Sequence, residues 1–137
     1  WPWEAKEAGA KVVATGRSDF ANQVNNSLGF PGIFRGTLDV RARTITDEMC
    51  IAAADELARC ARDRELNEDY IMPNMDEWHV FPHEAVAVGM KAQEQGIAGL
   101  KVSRDELLDR ANAIIRGARE LTKNMMANGF IAPAPED

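Results

Sequence analysis

The chain has 137 residues, 45% of them hydrophobic, with a net charge of −6 and a pI near 5.0. That length suits one domain with its own core. The acidic balance speaks against a nucleic-acid surface, which is normally basic, and no apolar run approaches the roughly 20 residues that a membrane-spanning helix needs.

The N-terminal stretch "WPWEAKEAGAKVV" begins inside a structural unit. Trp1 and Trp3 are large apolar groups on a chain end and call for something to pack against. These features predict a longer parent protein with an upstream continuation. Residues 2 to 8 read as a short helix, with Pro2 in its first turn and Gly9 just past its end. "AKVVAT", about residues 10–15, then reads as a short buried strand ending at Gly16. Helix, glycine and strand make half of a βαβ unit.

Residues 16 to 34, "GRSDFANQVNNSLGFPGIF", put four amides within five positions: Asn22, Gln23, Asn25 and Asn26. Such density marks a turn or a ligand site. Carboxamides bring two donors and an acceptor without charge, so they suit a carboxylate, a hydroxyl or another amide. An Asx-type turn leading into the next helix explains them equally well. Gly16 stands at the carboxyl end of the predicted strand, where open α/β sheets bind ligands. Arg17, Ser18 and Asp19 therefore share a claim to a site, against a plain polar turn.

Pro31 is predicted to open a helix through "GIFRGTLDVRA", with Ile33, Phe34 and Leu38 on one face. Arg35, Arg41 and Arg43 offer either a solvated face paired with Asp39 or an anion contact. Thr46 is the expected N-cap of the next helix, whose stripe is Met49, Ala53, Leu57 and Cys60. Cys50 and Cys60 lie ten residues apart on it, roughly 15 Å along the axis, too far for a disulfide. They read as buried thiols of a cytoplasmic protein. "RDRELNED" reads as a solvated helix end and loop, and a two-proline connection follows it.

Pro82 is predicted to start a helix that is apolar nearly all round its first two turns and hence buried on several sides. His79 and His83 stand at i and i+4, but Pro82 between them is expected to break the helix they would need to share a metal. Ser103 and Glu106 read as a capping box. Behind it Leu107, Ala111, Ile114, Ala118, Leu121 and Met125 repeat at helical spacing. Gly129 is the expected stop, and residues 132–137 read as a disordered tail after a single unit, 1–131.

No serine or cysteine nucleophile has a base beside it, and no carboxylate pair stands in a setting suited to acid–base work. The glycines of "GFPGIFRG" miss the dinucleotide-binding spacing. The residues alone leave open a helical interaction or regulatory module without catalytic groups.

The run "VVATGRSDFANQVNNSLGFPGIFRGTLDVRA" resembles the C-terminal part of the nucleotide-binding domain of malic enzymes, in their short bacterial and archaeal form. The likeness is dense over about thirty residues and looser through "ITDEMCIAAADELA", "YIMPNMDEWHVFPHEAVAV" and "GIAG". Ala21 replaces the usual proline of the pattern.

The resemblance implies an α/β fold: the late part of a doubly wound, Rossmann-like domain, mostly helical in this segment, with one strand at about 10–15. It implies oxidative decarboxylation of L-malate to pyruvate with NAD or NADP and Mg²⁺ or Mn²⁺, with a dehydrogenase of the same fold acting on another 2-hydroxy acid as the alternative. The acid–base pair, the metal ligands and the glycine-rich cofactor turn would belong to upstream parts of the same enzyme. This segment would hold no catalytic group and be inactive alone. Its share of the site would be Asn25, with Asn26 as the close alternative, on malate or pyruvate. Gly16, Arg17, Ser18 and Asp19 would lie on the cofactor side. A homodimer or larger assembly is the family's habit.

Overall fold

The structure is a computed structural model, and residues 1–133 are described. Among them are five helices: α1 (Pro2–Glu7), α2 (Phe30–Asp39), α3 (Asp47–Asp63), α4 (Val80–Glu94) and α5 (Arg104–Ala127). Helix α4 is the hub, and α2, α3 and α5 all pack on it. Its sequence explains this position. From Val80 to Met90 the only acidic residue is Glu84, and Val80, Phe81, Ala85, Val86, Val88, Gly89 and Ala92 are buried. A helix apolar on all sides needs neighbours on all sides. The main core joins Val86, Val88 and Ala92 of α4 to Val40, Met49, Ala53, Val102 and Leu107. A smaller cluster of Leu28, Leu57 and Val80 lies under the amide-rich loop.

The predicted strand at 10–15 is not there. Among the described residues no strand forms, and the segment makes one isolated parallel bridge, Thr15 to Gln23. A strand exists through a ladder to a partner. Here the neighbour is the amide-rich loop, which offers a single pairing position. The N–H groups of Val12, Val13 and Ala14 donate to nothing among the described residues.

Helix α2 departs from its predicted face. It starts at Phe30 rather than Pro31, and its buried side is Gly32 and Gly36, with Val40 just beyond its end. Phe34 and Leu38 are 51% and 63% exposed. Close helix approach decides this. A methyl on Gly36 would sit 2.3 Å from the Ala85 carbonyl oxygen of α4, so the two backbones meet where only glycine fits. The larger side chains of α2 turn outward, and the rings of Phe30 and Phe34 stack on its open side at 5.5 Å.

Helix α3 follows its predicted stripe, with the Thr46 hydroxyl accepting the Met49 N–H at 3.3 Å. The thiols correct the expectation of burial: Cys50 is exposed and Cys60 half-buried, and both are free. Helix α4 begins at Val80, so Pro82 falls within its first turn, where a missing N–H costs nothing. His79 and His83 are therefore one turn apart rather than severed. At α5 the Ser103 hydroxyl accepts the Glu106 N–H at 3.2 Å, but the Glu106 carboxylate pairs with Arg110 instead of closing the box. Only Leu107 and Ala111 of its apolar stripe are buried, while Ile114, Leu121 and Met125 stay open. Gly9 and Gly129 end α1 and α5 with φ of +101° and +74°. Among the described residues no helix is long and apolar enough to cross a membrane. Of the tail predicted at 132–137, residues 134–137 lie outside the described residues.

Candidate functional site

The amide-rich loop folds back on residues 13–16. The Val24 N–H donates to the Thr15 carbonyl at 2.8 Å, and the Thr15 N–H donates to the Asn22 carbonyl at 3.3 Å. The Gln23 side chain donates to the Gly16 carbonyl at 3.4 Å. These bonds join the two predicted site segments, Gly16–Asp19 and Asn25–Asn26, as neighbouring arms of one loop.

The four amides have different duties. Asn22 is buried, 5% exposed, in left-handed backbone at φ +55°. Its amide group donates to the carbonyls of Val13 at 3.0 Å and Glu68 at 2.8 Å, while its oxygen accepts the Ile71 N–H at 2.8 Å. That residue is a lock between the loop and the 68–71 connection. Sequence reading singled out the amide density but not this member. A positive φ tolerated by asparagine is a signal that only the backbone reveals.

Asn25 and Asn26 are both exposed. The Asn25 side-chain oxygen accepts the Ser27 N–H at 3.0 Å, an Asx turn. The Asn26 carboxamide has no hydrogen-bond partner among the described residues. Its backbone carbonyl accepts the N–H groups of Gly29 and Phe30 at 3.1 and 2.9 Å. Asn26 is thus held at its backbone and free at its side chain.

On the other arm Arg17 and Asp19 form a two-pronged pair at 2.8 and 2.6 Å. The bonded guanidinium holds the Asp19 carboxyl below the usual carboxylate range, and Asp19 raises Arg17 in return. Arg17 also lies over the rings of Trp1 and Phe20, at 5.2 and 5.5 Å from their centroids. Trp1 and Trp3 stack at 4.8 Å. The Ser18 hydroxyl is exposed and has no partner among the described residues. Gly16 is exposed too, and a methyl there would come no nearer than 3.8 Å to the Val24 carbonyl oxygen.

The remaining candidates disperse. Arg35 pairs with Asp39 on α2, and Arg43 reaches the Gly96 carbonyl at 3.4 Å, so the arginines make no common anion site. His79 and His83 line a cavity of about 200 Å³ with Arg59, Cys60, Asp63 and Arg64. Its arginines are taken: Arg59 by Glu56 and Asp63, Arg64 by Glu77. Burial lowers the His83 pKa against the pull of Glu56. Among the described residues no group of three or more His, Cys, Asp or Glu side chains stands ready to hold a metal ion.

One residue was missed altogether. Glu84 is fully buried in α4 with both carboxyl oxygens unpartnered, and burial pushes its pKa up to about 8. Its signal in the sequence was a lone carboxylate inside "VFPHEAVAVGM".

Comparison with known proteins then adds its own finding. The family described as "Malic enzyme, NAD binding domain" matches residues 9–93. The chain is 49% identical over 113 residues to the "Bifunctional malic/malolactic enzyme" of Bacillus subtilis, covering 82% of this chain and 28% of that one. It is 48% identical over 95 residues to the "NAD-dependent malic enzyme" of Geobacillus stearothermophilus, covering 69% and 20%. The crystal structure of a malic enzyme from Entamoeba histolytica superposes with a TM-score of 0.96 at 48% identity, covering 98% of this chain and 28% of that one. The chain therefore spans between a fifth and a little more than a quarter of the length of these relatives.

Proposed function

The chain belongs to the malic enzyme family, and on that premise we propose that it is one segment of an NAD(P)-dependent enzyme that oxidatively decarboxylates L-malate to pyruvate and carbon dioxide. Its contribution is to hold and orient substrate, with the acid–base groups supplied elsewhere in the parent. The observation that carries this reading is the Asn26 carboxamide: exposed, unpartnered, and mounted on a backbone that is itself hydrogen-bonded. A neutral amide so placed donates to a substrate carboxylate or accepts from the C2 hydroxyl without altering the charge of the site. Asn25 supports it: its oxygen holds the turn, and its NH₂ group has no partner among the described residues. This division favours Asn26 over Asn25 as the main contact.

The Gly16–Asp19 arm would meet the cofactor. The free Ser18 hydroxyl and the uncrowded backbone at Gly16 fit a ligand rich in hydroxyl and amide groups, and the exposed Arg17–Asp19 pair leaves no net charge there. When bound, the nicotinamide supplies the hydride acceptor. Among the described residues no side chains make a metal-ligand set, so no step is assigned to Mg²⁺ or Mn²⁺ here. The unpaired N–H groups at 12–14 support the reading that this stretch joins a sheet built by the rest of the parent. The open apolar residues of α2 and α5 are surfaces for that same parent to cover.

The full-length parent, given L-malate, Mn²⁺ and either NAD⁺ or NADP⁺, should produce pyruvate and reduced cofactor. No pyruvate with either cofactor would remove the reading.

A further inference from the structure

This chain buries three glutamates, Glu56, Glu77 and Glu84, and it treats the last differently. Glu56 and Glu77 are each 7% exposed. Glu56 accepts from Arg59, and Glu77 accepts from the Tyr70 hydroxyl and the Asn74 N–H and forms an ion pair with Arg64. Glu84 is 0% exposed, and among the described residues neither of its oxygens has a partner. A buried carboxyl without partners is normally removed or satisfied, so its retention asks for a reason.

Its position suggests one. The carboxyl presses on the first turn of α2: a methyl on Gly32 would fall 2.2 Å from Glu84 Oε2, and a methyl on Gly29 would fall 3.6 Å from Oε1. That first turn is where the amide-rich loop lands. The Asn25 carbonyl accepts the Leu28 N–H at 3.0 Å, and the Asn26 carbonyl accepts from Gly29 and Phe30. Glu84 therefore lies against Gly29, one of the two residues whose N–H groups hold the Asn26 carbonyl.

We propose that Glu84 is a positioning residue: its uncharged carboxyl wedges against Gly29 and Gly32, sets where α2 begins, and so aims the Asn26 carboxamide. The inference rests on the substrate-binding reading of Asn26. The surroundings favour the uncharged form. Gly29 and Gly32 lie against the carboxyl, Arg35 of α2 pairs with Asp39, and among the described residues no basic side chain pairs with Glu84. From α3 the titratable group that senses it is Cys60, whose pKa is raised by burial and also by Glu84. On α4 itself the adjacent His83 faces Glu56, at 4.0 Å. Burial alone holds the Glu84 proton up to about pH 8. Ionisation above that point places an unsolvated charge in the wedge, which burial disfavours, and so loosens its packing.

The test uses the full-length enzyme, with kcat, KM for L-malate and Tm followed from about pH 6 to about pH 10. Glu84→Gln keeps the shape and removes the titration. Glu84→Ala removes the wedge. In the wild type kcat/KM should fall above about pH 8, and Glu84→Gln should flatten that fall by about fivefold or more at the alkaline end. Glu84→Ala should raise KM by about fivefold below about pH 8, with the difference from wild type narrowing above it.

Stability gives a separate readout. Between the ordinary value of 4.5 and about 8 the unfolded chain releases this proton while the folded chain keeps it. Wild-type stability therefore declines across that window and levels off above it. The Tm advantage of Glu84→Gln should widen from about pH 5 to about pH 8 and then hold constant. Profiles of Glu84→Gln that superimpose on the wild type in both kcat/KM and Tm would overturn the proposal. So would a Glu84→Ala enzyme with unchanged KM. A wild type that forms no pyruvate would instead refute the malate reading, and the Tm comparison would still judge the titration of Glu84.

Discussion

At one end of the amide-rich loop the Asn22 carboxamide is 5% exposed and makes three hydrogen bonds. At the other end, four residues on, the Asn26 carboxamide is exposed and makes none among the described residues. The residue type is the same, and so is the local composition. What differs is where the backbone goes. At Asn22 it turns through left-handed φ and drives the side chain between Val13, Glu68 and Ile71. At Asn26 the carbonyl caps the start of α2 and leaves the side chain outward. An asparagine whose bonding capacity is filled by the fold has nothing left for a ligand. One held only through its backbone has all of it.

Substitutions sharpen this contrast. The largest effect on stability should come from Asn22→Ala. It orphans Val13, Glu68 and Ile71 backbone groups and puts alanine in a left-handed conformation, a loss of about 3 kcal/mol. Thermal or urea unfolding of the parent measures it, and a variant as stable as wild type would deny that Asn22 is the lock. Asn25→Ala removes the bond to the Ser27 N–H and should cost about 1 kcal/mol, with a modest rise in KM for malate. A loss as large as that of Asn22→Ala would erase the distinction between the two ends. Arg17→Ala breaks an exposed ion pair, which contributes little in solvent. It should leave Tm unmoved and show itself only in KM for the cofactor. A clear drop in Tm would mean that the pair holds the turn together.

Much of this arrangement was legible in the sequence, for identifiable reasons. Caps and stops are local chemistry, so Thr46, Ser103, Gly9 and Gly129 mark helix ends as expected. The buried character of α4 follows from its apolar run. Features set by partners were not legible. The strand at 10–15 needs a ladder, and this chain gives it one bridge. The outward turn of Phe34 and Leu38 follows from the Gly36–Ala85 approach, which no periodicity within α2 announces. For the site, the amide density drew attention to the loop, and the family resemblance put Asn25 first with Asn26 beside it; in the structure the Asn25 oxygen accepts the Ser27 N–H. Glu84 carried no local signal of what it presses against, because its neighbours on α2 are distant in sequence.

The most direct test of the account is Asn26→Ala in the full-length enzyme, with kcat, KM for L-malate and Tm measured together. The account predicts a fall in kcat/KM of about tenfold or more, with Tm within about a degree of wild type. Unchanged kinetics would contradict it, and so would a kinetic loss that merely tracks a fallen Tm.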